Sequence, residues 1–508
     1  MLRKENDMEP QLLFDRFFEI CRVPRESGNE LGMQRYLEQF AAAHGFASRP
    51  DATGNLVIYV PARGAGKGKE PIVLQSHTDM VCVKGPGSTH DFTKDPIRTG
   101  VESREDQYVI QDVLIADNTT LGADNGIGVA AALAAATDPE ITDCPPLELL
   151  FTVDEERGLT GASTLDPSLL TGKYLINMDS EELGDICISC AGGRDMTAVW
   201  SIDTNGKTEG RVPVTFTLMG LPGGHSGVQI NEGRGNAIGL LLGEVLGELR
   251  GLPFEFPPPV FGGLASISGG SKRNVIPSDA AITIWLDELS AAETINNCAS
   301  DEHWWVQTQE AVEVDRENME LTVEISDPTM ALMPISDGRG ITILQAIYKI
   351  PWGPQKMSDV VPGLVETSNN VAVVCTTKDE ITLTCSTRSS RQGAIAEFQN
   401  AQKLMLEKSG AVVTHSDGYP GWEADPENPL LKQAEKTFTR VLGKAPKITA
   451  VHAGLECGVI KGIIPNMRMI SFGPDILDAH TIQERVLLKS VPPFYNCLTA
   501  LLSDLCTE

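Results

Sequence analysis

Several segments of this chain end an apolar run with an imidazole or a cluster of acids. "PIVLQSHTDMV" (71–81) closes such a run with His77 and Asp79, two residues apart. In a strand, residues i and i+2 face the same side, so a strand tip can aim an imidazole and a carboxylate together. Alone, that is either a metal corner or a hydrogen-bonded structural pair. Asp124 stands in "TLGADNGIG", which alone is a glycine-rich turn opening a helix, even a weak phosphate loop. Asp154, Glu155 and Glu156 follow "LELLFTV", where acids alone suit a solvated helix start. Asp179 follows "KYLINM". The ordered combination is far more specific than any member. Carboxylates crowded together repel, and at least one would take up a proton; divalent cations resolve this. Imidazole plus carboxylate without thiolate suits a zinc-like ion with an open coordination position. Acids in excess of one ion's needs suggest two ions about 3.5–4 Å apart with one Asp bridging. Of the adjacent Glu155 and Glu156, one can bind metal while its neighbour holds a water and its proton.

The elements that must position these groups are legible as patterns. From residue 10 to 190, helix-like segments such as "ELGMQRYLEQFAAAHG" and "GIGVAAALAAAT" alternate with short apolar runs at 55–60, 71–77, 147–153 and 173–179. Buried strands alternating with helices predict an α/β domain with a mostly parallel sheet. In such a sheet the acids and His77 would share the rim at the strands' carboxyl ends. The middle of the chain reads as α+β, with alternating strands such as "VPVTFTLMGL". "INEGRGNAI" (230–238) is echoed by "ISDGRGITI" (335–343), and "SKRNVIPSDAAITIWLD" by "TSNNVAVVCTTKDEITLTC". Two echoes in the same order, each offset by roughly a hundred residues, favour a duplication. The acidic segment 296–320 reads as an exposed elaboration. After 420 the α/β style returns. The expected organisation is a catalytic domain in two parts, 1–188 and 421–508, interrupted by a duplicated α+β lid domain, 189–420.

The chain has 508 residues, enough for two or three domains, and 41% hydrophobic with 22% charged residues is a globular composition. Asp+Glu 69 against Lys+Arg 41 gives −28, a field that repels phosphate backbones and anionic lipid. No nucleic-acid or membrane partner is expected. The N-terminal "MLRKENDMEPQLLFDRFFEI" lacks the uninterrupted apolar core of a signal peptide, so a cytoplasmic location is expected. Cys187 and Cys190 form one C-x-x-C without a second, in a strand-like "DICISC", and read as reduced small hydrophobes.

"SHTDMV", "GADNGIGVA", "DEERGLTGA", "INMDSEE", "GGHSG" and "DAH" occur in the order seen in the dinuclear zinc metallopeptidase family of aminoacylases, carboxypeptidases and dipeptidases. Over nearly its whole length the chain resembles that family. The long "GADNGIG", "HAGLECG" and the duplicated insert resemble its aminoacyl-histidine (Xaa-His) dipeptidase branch most. The resemblance implies a hydrolase of short unblocked dipeptides, with two divalent ions, zinc first and manganese or cobalt also compatible. It implies His77, Asp124, Glu156, Asp179 and His480 as metal ligands, with Asp124 bridging. Asp79 would orient His77, and Glu155 would be the general base, moving a proton from the bridging water to the leaving amine. His225, which by pattern alone is equally a turn residue, would stabilise the oxyanion, worth about 3–4 kcal/mol per donor. In single-insert relatives that His comes from a partner subunit; a duplicated insert would let His225 act in cis. Arg388 would clamp the substrate carboxylate through its bidentate fork, with Asn274 and Gly454 as further binders. His452 and Glu456 could meet the amine or histidyl ring. The remaining histidines, His44, His90, His303 and His415, read as surface or structural. A small peptide is the expected partner of a monomer or homodimer. An aminoacylase-type hydrolase is the nearest alternative; a catalytically dead scaffold relative is disfavoured because every presumptive ligand and Glu155 are present.

Overall fold

The apolar runs before residue 190 become strands because β-branched and large aliphatic residues fill them and Gly, Pro and Asp bound them. In the computed structural model, which describes residues 8–106, 109–251, 261–300, 318–335 and 338–507, these runs enter an eight-stranded sheet. Its spatial order is Ala47–Pro50, Leu56–Val60, Leu147–Thr152, Ile72–His77, Tyr174–Asn177, Arg468–Ser471, Asp185–Cys190 and Lys447–Val451. The four strands from Leu147–Thr152 to Arg468–Ser471 run parallel. Leu56–Val60 and Asp185–Cys190 pair antiparallel on the two flanks. The sheet is therefore parallel at its centre, with an antiparallel neighbour on each side of that centre. The short connection from Ala47–Pro50 to Leu56–Val60 makes a hairpin, and only longer crossovers permit parallel neighbours.

Ile72–His77 and Leu147–Thr152 are buried along their whole length, as strands covered on both faces must be. The helix Ala123–Thr137 is almost entirely buried and built largely of Ala and Gly. Small side chains let it pack closely on the helix Gln11–Cys21 and on Ile72–His77; a Cβ added to Gly126 would lie 2.9 Å from the Phe17 ring. A second, four-stranded antiparallel sheet runs in the order Ile476–Leu477, Arg485–Leu487, Val109–Ala116, Thr99–Asp106.

The chain divides into two units. One comprises Met1–Cys190, Trp422–Ala450 and Leu455–Glu508; the other comprises Ala191–Gly421 and Val451–Gly454. Against the expected divisions after 188 and 420, the chain divides after 190 and 421. The segment 451–454, expected within the last catalytic block, belongs to the other unit.

That second unit holds a nine-stranded sheet whose main path is Glu320–Ile325, Arg211–Met219, Ala280–Asp287, Phe261–Gly269, Val365–Thr376, Glu380–Ser389, Gly192–Ser201 and Val412–His415. Gly353–Met357 pairs beside Val365–Thr376. Outward from the central pair, both halves repeat one succession. Each begins with a strand that follows a helix, Ala237–Gly251 in one half and Arg339–Tyr348 in the other. Its next strand in sequence lies beside it, then a strand from earlier in the chain. An edge strand following a second helix, Glu288–Ser300 or Ala394–Lys408, completes each half. The echoed Gly233 and Gly338 both take positive φ just ahead of the two matching helices. Trp200, Phe216, Leu264 and Leu383 lie in the core of this unit. Residues 301–317, with His303 and most of the expected elaboration, lie outside the described residues, as do 1–7 and the echo's Ser336 and Asp337. Among the described residues no helix is long and apolar enough to cross a membrane.

Candidate metal centre and active site

Three parallel strands deliver their carboxyl ends to one place. Ile72–His77 ends on His77, which is buried, with the buried Asp79 two residues on. After Leu147–Thr152 the chain reverses through Asp154, at φ 54, into the short helix Glu155–Gly158. Tyr174–Asn177 leads to Asp179. Asp124 comes from the turn opening Ala123–Thr137, where Gly122 has φ 69 and Asp124 and Asn125 are still non-helical. His480 sits in the 478–484 loop between Ile476–Leu477 and Arg485–Leu487. Asp478 and His480 both have positive φ there, a conformation costly for a side-chain-bearing residue. Arg485 holds Asp478 by an ion pair, and Thr481 Oγ1 donates to the Asp478 carbonyl at 2.8 Å.

Asp124 is the hub. His77 Nε2 lies 2.8 Å from its Oδ1, and His480 Nε2 lies 2.9 Å from its Oδ2. Each imidazole meets a second acid: Asp179 at 3.4 Å from His77, and Glu156 at 3.0 Å from His480. The ligand atoms of His77, Asp124 and Asp179 all lie within 4.8 Å of one another, as do those of Asp124, Glu156 and His480, and of His77, Glu155 and Glu156. Burial opposes charge on His77, but Asp179, Asp124 and Asp79 outweigh it and push the imidazole well above its usual range. Hydrogen bonds to Asp124 and Glu156 push His480 up to about 11. Burial would raise Asp124, yet the two imidazoles hold its carboxyl well below the ordinary range. Burial raises Asp179 to about 6 and lifts Glu155 well above the carboxylate range. With no ion between them, these acids would draw protons onto the two imidazoles. Divalent cations liganded by the same atoms would take the place of those protons. The donor set is nitrogen and oxygen without thiolate, and buried Glu156 Oε1 has no hydrogen-bond partner among the described residues. These residues fit divalent ions: His77 with Asp179, and His480 with Glu156, would hold them, with Asp124 within reach of both sets.

The surrounding contacts fix these groups. Asp79 accepts from Ser27 Oγ at 2.7 Å and from the Glu155 and Glu156 amides at 3.1 and 3.2 Å, with His77 Nδ1 3.3 Å away. One carboxylate thus orients the imidazole and the double-Glu turn together. Burial raises its pKa, but His77, Ser27 and the Glu155 amide bring it down to about 2. Asn125 Nδ2 donates to the Met178 carbonyl at 3.1 Å and to Asp179 Oδ1. Beneath the rim runs a buried polar row. Asn177 donates to Gln75 at 2.6 Å, and Gln75 and Thr152 donate to Glu456 at 2.5 and 2.7 Å. Glu456 is fully buried and raised to about 7, chiefly by that burial.

The substrate candidates lie in the other unit. Arg388 is buried and its Nη1 donates to the Tyr419 hydroxyl at 2.8 Å. Gly454 leaves room for the same ring, since a Cβ there would fall 2.8 Å from it. His452 is buried, with Nε2 2.8 Å from Ser368 Oγ, so Glu456 and His452 do not share a unit. His225 Nδ1 accepts from the Gly227 and Val228 amides at 3.1 and 3.3 Å, which leaves Nε2 carrying the proton. Burial, then Arg388, lowers its pKa, so it is a neutral donor. The Asn274 carbonyl holds this loop by accepting from the Ser226 amide at 2.9 Å, while its side chain is exposed. Sequence reasoning missed Ser27, Asn125, Gln75, Asn177 and Tyr419. Polar residues inside otherwise apolar runs were the available signal for Gln75 and Asn177; Ser27 and Tyr419 had none.

Comparison with known proteins fits this geometry. The chain is 35% identical over 506 residues to the cytosol non-specific dipeptidase of Escherichia coli (strain K12), covering 98% of this chain and 99% of that protein. The crystal structure of aminoacylhistidine dipeptidase from Vibrio alginolyticus superposes with a TM-score of 0.87 at 34% identity, covering 98% of each chain. Aminopeptidase PepT from Bacillus cereus shares the fold at a TM-score of 0.54 and 15% identity, covering 98% of this chain and 99% of its own. The model of peptidase family M20/M25/M40 matches residues 73–504. The acids and imidazoles gathered at the strand ends therefore belong to an enzyme, and the chain is a member of peptidase family M20/M25/M40.

Proposed function

We propose that this enzyme is a two-metal dipeptidase of the cytoplasm that hydrolyses short unblocked peptides, Xaa-His best. The observation that carries the proposal is Asp124 standing between two imidazoles, one oxygen to each, with a separate acid behind each imidazole. The names of the E. coli and Vibrio relatives, a dipeptidase and an aminoacylhistidine dipeptidase, support the substrate class. His77, Asp124 and Asp179 would hold one ion, and Asp124, Glu156 and His480 the other, with zinc, manganese or cobalt all suited to such donors. Bound there, the pair would polarise the scissile carbonyl and acidify the attacking water.

The remaining chemistry belongs to the chain. Glu155 shares the His77–Glu156 corner, and a carboxylate whose proton affinity is raised by burial is matched to accept a proton and return it to the leaving amine. Asp79 holds His77 and the Glu155 and Glu156 amides in one geometry, so base and ligands keep their spacing. His225, neutral with its proton on Nε2, is suited to donate to the tetrahedral oxyanion without adding a buried charge. Arg388, fixed by Tyr419, would take the peptide's terminal carboxylate through its remaining donors. The deciding assay follows free histidine released from β-alanyl-His, against N-acetyl amino acids, with and without chelator. Cleavage confined to the acetylated compounds would replace the dipeptidase by an aminoacylase-type hydrolase.

A further inference from the structure

We infer that Glu484 and Arg25 are positioning residues that hold the Asp124 turn from opposite sides and so place its carboxylate between the two ions; this rests on the two-metal reading above. Asp124's side chain meets only His77 and His480 among the described hydrogen bonds and ion pairs. Its place must therefore be set by its backbone, and a bridging carboxylate tolerates little error, since small misplacements in such sites are expensive.

Glu484 is buried, 2% exposed, and its carboxylate accepts four consecutive amides of that turn. Oε2 takes Leu121 N at 2.7 Å and Gly122 N at 2.8 Å; Oε1 takes Ala123 N at 2.7 Å and Asp124 N at 3.3 Å. Four donors fill the accepting capacity of one carboxylate. On the carbonyl side stands Arg25, also 2% exposed. Its Nη1 donates to the Thr78 and Asp79 carbonyls at 3.2 and 2.9 Å, and its Nη2 donates to the Gly122 carbonyl. One guanidinium thus ties the exit of the His77 strand to the turn that carries Asp124. The glycines make its room: a Cβ on Gly122 would fall 2.4 Å, and one on Gly126 2.8 Å, from Nη2.

Two buried charged side chains spent on backbone atoms are a costly way to close a turn. An apolar plug would close it, but would fix neither the direction nor the height of Asp124. Glu484 also lies in the loop that carries His480. One loop therefore presents an imidazole and fixes the carboxylate that imidazole must share.

The test titrates Co²⁺ into chelator-stripped full-length protein, with dissociation constants from chelator competition and the visible d–d bands read alongside. Wild type must first take two ions; if it does not, the two-metal reading fails before this proposal is reached. Glu484→Gln sets an NH₂ against backbone amides. It should loosen cobalt by about 10–100-fold and shift the d–d bands, and Arg25→Lys should act in the same direction. Glu148→Gln is the control. Glu148 is a buried carboxylate that accepts the Thr171 and Gly172 amides at 3.0 Å near the opposite end of Leu147–Thr152. It should lower the thermal midpoint while leaving affinity and spectrum unchanged. Wild-type affinity and bands in Glu484→Gln, or an equal loss in Glu148→Gln, overturns the positioning role. If Glu484→Gln does not fold, unchanged cobalt binding in Arg25→Lys overturns it.

Discussion

Gly128 is where one methyl group should uncouple stability from activity. In an open helix, replacing Gly by Ala gains about 1 kcal/mol. Gly247, with nothing within 4 Å of its added Cβ, should show that gain. At Gly128 the new Cβ would stand 2.0 Å from Asn125 Oδ1, 2.7 Å from Ser76 Oγ and 2.8 Å from the Met178 carbonyl. The carbonyl belongs to the backbone beside a buried strand, so Asn125 must yield, by on the order of 1 Å. Overpacking of this kind costs about 1–3 kcal/mol. Set against the helical gain, the net loss of stability should stay below about 2 kcal/mol. Activity should suffer more. Asn125 Nδ2 holds both Met178 O and Asp179, so its retreat carries a metal-binding candidate with it. A shift of about 1 Å at such a site costs on the order of 100-fold. Thermal unfolding of both variants, with kcat/KM on a dipeptide at saturating metal, separates the effects. A Gly128→Ala enzyme that keeps kcat/KM within a factor of about 3 would refute the placement of Asp179 by Asn125.

Glu155→Gln should lower kcat by about 10²–10⁴-fold while metal analysis still finds two ions; near-normal turnover would show that another group is the base. Asp79→Asn keeps the shape but weakens the carboxylate's four contacts, to Ser27, His77 and the Glu155 and Glu156 amides, and should loosen metal by about 10–100-fold in equilibrium dialysis. Tyr419→Phe removes the hydroxyl from Arg388; the loss, about 1.5–3 kcal/mol, should appear as a raised KM with kcat little changed. His452 gives a pH prediction. Burial, then Arg388, lowers its pKa to about 4, so between pH 4 and about 6.5 the unfolded chain binds the extra proton. Its neutral, folded form is fully favoured above that window, and stability falls as pH drops through it, by about 3 kcal/mol in all. His452→Asn should flatten this part of the profile relative to wild type in denaturant melts.

The groups most visible in the sequence were those whose chemistry is abnormal for their setting. An acid or imidazole ending a greasy run is unusual and marked His77, Glu156 and Asp179; Asp124 stood in a glycine-rich turn and His480 was reached only through the family resemblance, yet all five stand together in the structure. Arg25 and Glu484 carry no such mark: their partners are backbone atoms, and Glu484 contacts amides 360 or more positions away, which no local pattern encodes. The division of "HAGLE" was equally hidden. His452 and Glu456 are near neighbours in sequence but belong to different units, because where a chain crosses between units depends on tertiary packing. Sheet polarity was legible only in part. Helices between the central strands announce parallel pairing, whereas the antiparallel flanks depend on which distant strand arrives beside them.

Arg468–Ser471 lies in the sheet between Tyr174–Asn177 and Asp185–Cys190, two strands separated by only a short stretch of chain. During synthesis those two strands emerge early, and the strand that belongs between them comes several hundred residues later. At about 5–20 residues per second the gap lasts on the order of tens of seconds. Throughout that interval apolar strand edges stand without partners, the condition in which chains stick to one another. Nascent chains should therefore need chaperone shelter here, and a ribosome stalled before residue 468 should leave an insoluble, inactive fragment.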